Sequence, residues 1–71
     1  MERFGKKLRD LRQKRGLTVR QLAKELDIKS HSHIADMEHD RNKPSVELLV
    51  KIADLFDVTT DQLLRDDQEV D

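Results

Sequence analysis

Two copies of one four-residue signature, Thr18-Val-Arg-Gln21 and Thr59-Thr-Asp-Gln62, restrict what this chain can fold into more than any other feature. In each, the threonine hydroxyl accepts from the backbone N–H three residues on. The glutamine side chain reaches back to the threonine N–H, so two donors orphaned at a helix start are satisfied reciprocally. Both therefore predict helix starts, and no segment shows the period-two alternation of a strand. The chain has 71 residues and no cysteine, so neither disulfides nor thiolate metal sites can staple it. A single small domain of this size must be held by helix packing.

The remaining elements follow from periodicity and punctuation. Phe4, Leu8 and Leu11 recur at helical spacing and Gly16 follows a basic last turn, which predicts a first helix over Glu2 to Arg15. The second helix, opened by the Thr18 box, ends near Leu26. Asp27 and Ile28 form a tight connection, and Ser30 is the expected N-cap of a third helix that turns Ile34 and Met37 inward. The polar run His39–Lys43 is a turn, Pro44 blocks continuation, and Ser45 caps a fourth helix through Phe56 with Leu49, Ile52, Ala53 and Phe56 as its core stripe. The Thr59 box opens a short fifth helix with Leu63 and Leu64. The expected architecture is all-α with five short helices over residues 1–65, followed by an acidic C-terminal tail over 66–71 that frays unless a partner holds it.

The net charge of −1 hides an asymmetry. Residues 1–24 carry nine Lys/Arg against two acids, a net of +7, whereas residues 44–71 carry two against eight, a net of −6. A chain with one basic and one acidic pole can dock the basic pole on phosphate, although a solvated surface is the plainer reading of the same charges. No apolar run approaches the roughly 18 residues of a membrane span, so a cytoplasmic protein without membrane contact is expected. Phe4 and Phe56 are the only aromatics, which argues against platforms that stack single-stranded bases.

All three histidines fall between Lys29 and Ser45. His31 and His33 are two apart and point to different sides of a helix, and His39 is six further on, so the spacing does not suit zinc. No catalytic partner or deep cleft is expected in so small a chain, and neither an enzyme, a metal nor a cofactor is predicted.

Two short helices joined by a tight turn, with Leu22, Ala23 and Ile34 facing inward, describe a helix-turn-helix. Together with Leu8-Arg-Asp-Leu-Arg12, Gly16-Leu17-Thr18, Gln21-Leu-Ala23, Glu38, Asn42-Lys-Pro-Ser45, Ile52-Ala53 and Phe56 to Leu64, the chain resembles the Cro/C1-type, or Xre, helix-turn-helix family across nearly its whole length. Three positions depart from that pattern. Val19 stands where the family often has a phosphate-clamping glutamine, Ile28 to Ile34 is one residue longer than usual, and Asp40 replaces the usual glycine after the third helix.

The resemblance implies a lambda-repressor-like DNA-binding domain whose third helix enters the major groove. His31, Ser32, His33 and Asp36 would then meet base edges, Asp36 either as acceptor from a cytosine amino group or as a brace for a neighbouring Arg or His. His39 reads more simply as solvated. Thr18, Arg20, Lys24, Ser30, Arg41, Asn42 and Lys43 are the expected phosphate contacts, each with an uncontacted surface residue as its alternative. Arg12 and Glu38 are expected to form an ion pair tying the first helix to the end of the third. Leu55 and Leu64 are surplus to the core stripe. They either form a two-fold dimer interface that sets two recognition helices about 34 Å apart, or complete the core. The resulting expectation is a sequence-specific transcriptional regulator, a repressor that binds a palindromic operator in double-stranded DNA as a homodimer and is nucleoid-associated when bound. The competing expectation is a protein-interaction module, such as an antitoxin or adaptor built on the same fold, with RNA binding as a third.

Overall fold

The computed structural model describes residues 1–70 and contains five helices: α1 (Phe4–Lys14), α2 (Val19–Glu25), α3 (His31–Glu38), α4 (Val46–Phe56) and α5 (Thr60–Leu64). Both capping boxes form as expected, with Thr18 Oγ1 accepting from Gln21 N at 3.1 Å and Thr59 Oγ1 from Gln62 N at 3.0 Å. Ser45 caps α4 by accepting from Leu48 N. Ser30 takes the backbone conformation of an N-cap, but its hydroxyl makes no capping bond and lies 2.7 Å from the hydroxyl of Ser32 instead.

Four helices end in the same way. At each, the N–H of the residue after a left-handed position bonds back five residues: Leu17 to Arg12 O, Ile28 to Ala23 O, Arg41 to Asp36 O and Val58 to Ala53 O. These are Schellman closures, which satisfy carbonyls that have no intrahelical donor. The left-handed residues are Gly16 (φ 73°), Asp27 (φ 57°), Asp40 (φ 58°) and Asp57 (φ 54°). Three of the four are therefore aspartates, which reach this region at lower cost than most side chains but not as freely as glycine.

The core is one cluster: Phe4, Leu8 and Leu11 of α1, Leu22 and Ala23 of α2 with Leu26 at its C-cap, Ile34 and Met37 of α3, Leu49, Ile52, Ala53 and Phe56 of α4, and Leu63 of α5. α1 and α2 both pack on α3, and α5 bridges α1 and α4. Contact between α1 and the end of α3 is close enough that only glycine fits at position 5. A Cβ there would lie 2.5 Å from the Glu38 carbonyl oxygen and 2.7 Å from that of Met37.

α1 has no side-chain cap of its own. N–H groups in its first turn and just before it bond instead to carboxylates from distant parts of the chain. Asp66 accepts from Glu2 N at 3.2 Å and Arg3 N at 3.0 Å, and Asp40 Oδ1 accepts from Gly5 N at 3.2 Å. Residues 66–70 of the tail expected to fray are therefore docked, and Asp71 lies outside the described residues. Arg3 bonds both carboxylate oxygens of Glu69 and the Asp66 carbonyl, and Val70 packs against the core. With one apolar residue the tail has little to bury, and what holds it is the N–H donors at the start of α1. Those donors hold the Asp66 carboxyl below its ordinary range, the bonds from Arg3 and then Glu2 being the leading causes.

Candidate nucleic-acid interface

α2 and α3 are joined through Leu26 to Ser30, with Asp27 in the left-handed position and the Ile28 N–H bonded to Ala23 O at 2.8 Å. Ile28 is half-buried and packs against the core, so the longer connection is absorbed in the turn. α3 buries Ile34, Met37 and Glu38. That leaves His31 and Ser32 exposed and His33, Ala35 and Asp36 half-buried on its other sides.

The two histidines at the start of α3 look in different directions. His31 shares a concave surface with Arg20 and Lys24 of α2 and with Lys29 of the turn, three cations beside one carboxylate, Asp27, at one flank of the helix. His33 faces a groove toward α4, lined among others by Ile28, Leu48, Lys43 and Lys51. His39 is exposed at the end of α3. Among the described residues no group of three or more His, Cys, Asp or Glu side chains could hold a metal ion. Lys29 was not among the residues expected from the sequence. Its signal was a lone cation directly before the N-cap of α3.

At the opposite end of α3, Asn42 and Lys43 border a second concavity together with Met1, Glu2, Phe4 and Asp40. Arg41 reaches back to the helix, where its Nη1 donates to Asp36 Oδ1 at 3.3 Å. Thr18 and Ser30 are exposed at the starts of α2 and α3. Arg20, Lys24 and Ser30 thus lie near the start of α3 and Arg41, Asn42 and Lys43 just after its end, while Thr18 stands apart at the start of α2.

α3 is fixed in place by Arg12 and Glu38. Arg12 Nε donates to Glu38 Oε2 at 2.6 Å and Nη2 to Oε1 at 3.1 Å, while Nη1 donates to Leu17 O at 2.9 Å. Side-chain exposure of only 13% for Arg12 and 5% for Glu38 makes this a shielded bidentate pair rather than a surface contact.

The basic pole offers fewer free cations than its charge count. Of the nine cations in residues 1–24, at least four serve the fold. Arg3 binds the tail, Arg12 binds Glu38, and Lys7, only 2% exposed, donates from Nζ to Gln62 O at 2.7 Å and Arg65 O at 2.6 Å. Arg15 donates to Leu55 O and stacks 5.1 Å from the centre of the Phe56 ring. Lys6, Arg9, Arg20 and Lys24 are exposed and make no hydrogen bond or ion pair among the described residues.

Leu55 and Leu64 are half-buried and pack against the core. The large apolar side chains left exposed among the described residues are Met1, Val46 and Val50. No helix among the described residues is long and apolar enough to cross a membrane.

A family profile described as helix-turn-helix matches residues 8–63. The chain is 36% identical over 65 residues to the HTH-type transcriptional regulator ImmR of Bacillus subtilis (strain 168), covering 92% of this chain and 50% of that protein. It is 38% identical over 58 residues to the HTH-type transcriptional regulator DdrOP3 of Deinococcus deserti, covering 82% of this chain and 44% of that protein. The chain thus spans about half the length of the curated relatives it matches.

Proposed function

This chain belongs to the Cro/C1-type, or Xre, helix-turn-helix family, and from that membership we propose that it binds double-stranded DNA and regulates transcription. In this reading it is a repressor that acts as a homodimer on a palindromic operator. α3 lies in the major groove with His31, Ser32 and His33 at base edges. Neutral imidazole and hydroxyl groups both donate and accept, which suits direct readout without a large fixed charge. Arg20, Lys24 and Ser30 hold phosphates at one flank, Asn42 and Lys43 hold them at the other, and Thr18 does so from the start of α2. The observation that carries this reading is the clustering of Arg20, Lys24 and Lys29 around His31, with no hydrogen bond or ion pair of their own among the described residues and next to the exposed first turn of α3.

Two copies related by a two-fold axis would present two α3 helices to successive major grooves, about 34 Å apart. Leu55 and Leu64 supply the contact in this reading, through the parts of their side chains that reach the surface. The test is selection of bound sequences from a random duplex pool, followed by a salt titration. The expected result is an enriched inverted repeat and a log K that falls with log salt by about 0.9 per phosphate neutralised. Equal recovery of all sequences, with no excess over random duplex, overturns the reading.

A further inference from the structure

Asp36 holds Arg41 by both its backbone and its side chain. The Asp36 carbonyl accepts from Arg41 N at 2.8 Å and from Asn42 N at 3.4 Å, and its carboxylate accepts from Arg41 Nη1 at 3.3 Å. Arg41 belongs to the turn after α3, yet this arrangement lays its guanidinium against α3 at the level of Asp36. That is one helical turn beyond Ser32 and His33 on the side they share. The Arg41 side chain is 67% exposed, so donors not engaged by Asp36 remain open to a ligand.

A carboxylate alone on this face would be repelled by phosphate and could accept only from a base amino group. Paired with Arg41, it becomes the anchor of a donor group whose planar fork matches the O6 and N7 acceptors of guanine. We propose that Arg41 is a base-reading residue and that Asp36 is the positioning residue that aims it, so that Asp36 affects sequence preference only through Arg41. In this proposal Arg41 leaves the phosphate group and Asp36 acts as a brace; it rests on the DNA-binding reading given above. An exposed ion pair contributes little to folding, so the pair can be dissected without unfolding the chain.

The experiment is a double-mutant cycle on the full chain with Arg41→Ala, Asp36→Ala and the double variant, each measured against the selected operator and its single-base variants. Thermal melts confirm that each variant is folded. Arg41→Ala is expected to lose preference at one guanine-containing position by about five- to a hundredfold. Asp36→Ala relaxes the same position, and the double variant discriminates no worse than Arg41→Ala alone. Asp36→Glu, which keeps the carboxylate, restores part of the preference at that position. Uniform weakening of all duplexes by Arg41→Ala would return it to the phosphate group and overturn the proposal. So would additive effects, or effects of the two variants at different positions. If the parent protein selects no sequence, the DNA-binding reading fails and this proposal with it; if it selects one and Arg41→Ala keeps every preference, this proposal alone fails.

Discussion

Arg12 and Glu38, 26 residues apart in sequence, meet through two charge-assisted hydrogen bonds of 2.6 and 3.1 Å at a site nearly closed to water. A third bond from Arg12 to the Leu17 carbonyl places the guanidinium at the junction of α1, the end of α3 and the entry to α2. Removing one partner leaves the other shielded without its counter-charge. Glu38→Ala is expected to lower the unfolding free energy by about 1–3 kcal/mol, measured by chemical denaturation. Glu38→Gln, which keeps an acceptor, should lose less.

Gly5→Ala tests the approach of α1 to the end of α3. The new methyl group would meet two backbone carbonyls and Asp40 Oδ1, at 2.5, 2.7 and 2.8 Å, and the carbonyls cannot rotate away as a side chain could. Alanine favours helices over glycine by about 1 kcal/mol, so an isolated helix would gain. Here the clash outweighs that gain, and a net loss of about 1–3 kcal/mol in denaturant unfolding is expected.

The left-handed aspartates divide by what their side chains do. Asp57 ends α4 at φ 54°, with a carboxylate at the negative pole of the helix. Asp57→Gly relieves both and should raise stability by about 0.5–1 kcal/mol. Asp40 has the same backbone conformation, but its carboxylate accepts from Gly5 N. Asp40→Gly should therefore bring no gain, and calorimetric melts of the two variants make the comparison.

Acid should release the tail. The Asp66 carboxyl is held below its ordinary range by the N–H groups of Arg3 and Glu2, so the folded state binds its proton less readily than the unfolded chain. Its contribution is complete above the unfolded carboxylate value, about 3.9, and is lost as pH falls through the lowered folded value. The Tm gap between the parent and Asp66→Asn is expected to be full at neutral pH and to close in acid.

Leu64→Glu addresses assembly. The proposed dimer contact predicts a folded monomer with weakened operator binding and, because Leu64 also packs against the core, a lower Tm. Sedimentation equilibrium checks this outcome. A variant that stays dimeric moves the interface elsewhere, with the exposed Val46 and Val50 face of α4 the next surface to mutate.

The features legible from sequence are those that close within a few residues. The Thr18 and Thr59 boxes, the Ser45 cap and the stop at Gly16 satisfy backbone groups locally, so residue types at fixed spacing reveal them. Arg12 and Glu38 were legible only through the family resemblance, because nothing local joins them. What escaped depends on distant partners: Gly5 against the end of α3, Lys7 on the carbonyls of Gln62 and Arg65, and Asp66 on the start of α1. Lys7 and Arg3 were counted as surface charge for the same reason. Ser30 failed as a side-chain cap because the Ser32 hydroxyl, two residues on, engaged it instead. At the candidate interface, residue types marked α3 and its flanks, but sequence left two roles open for Asp36 where the structure gives its carboxylate to Arg41.

The borrowed caps of α1 bear on the order in which the chain can assemble. α2 carries its own complete cap, and α2 and α3 are neighbours in sequence, so their pairing closes only a short loop. The start of α1 must await Asp40, 35 residues beyond Gly5, and Asp66, 64 beyond Glu2. Closing those loops is entropically late, which makes the helix that comes first in the chain the one whose first turn is completed last.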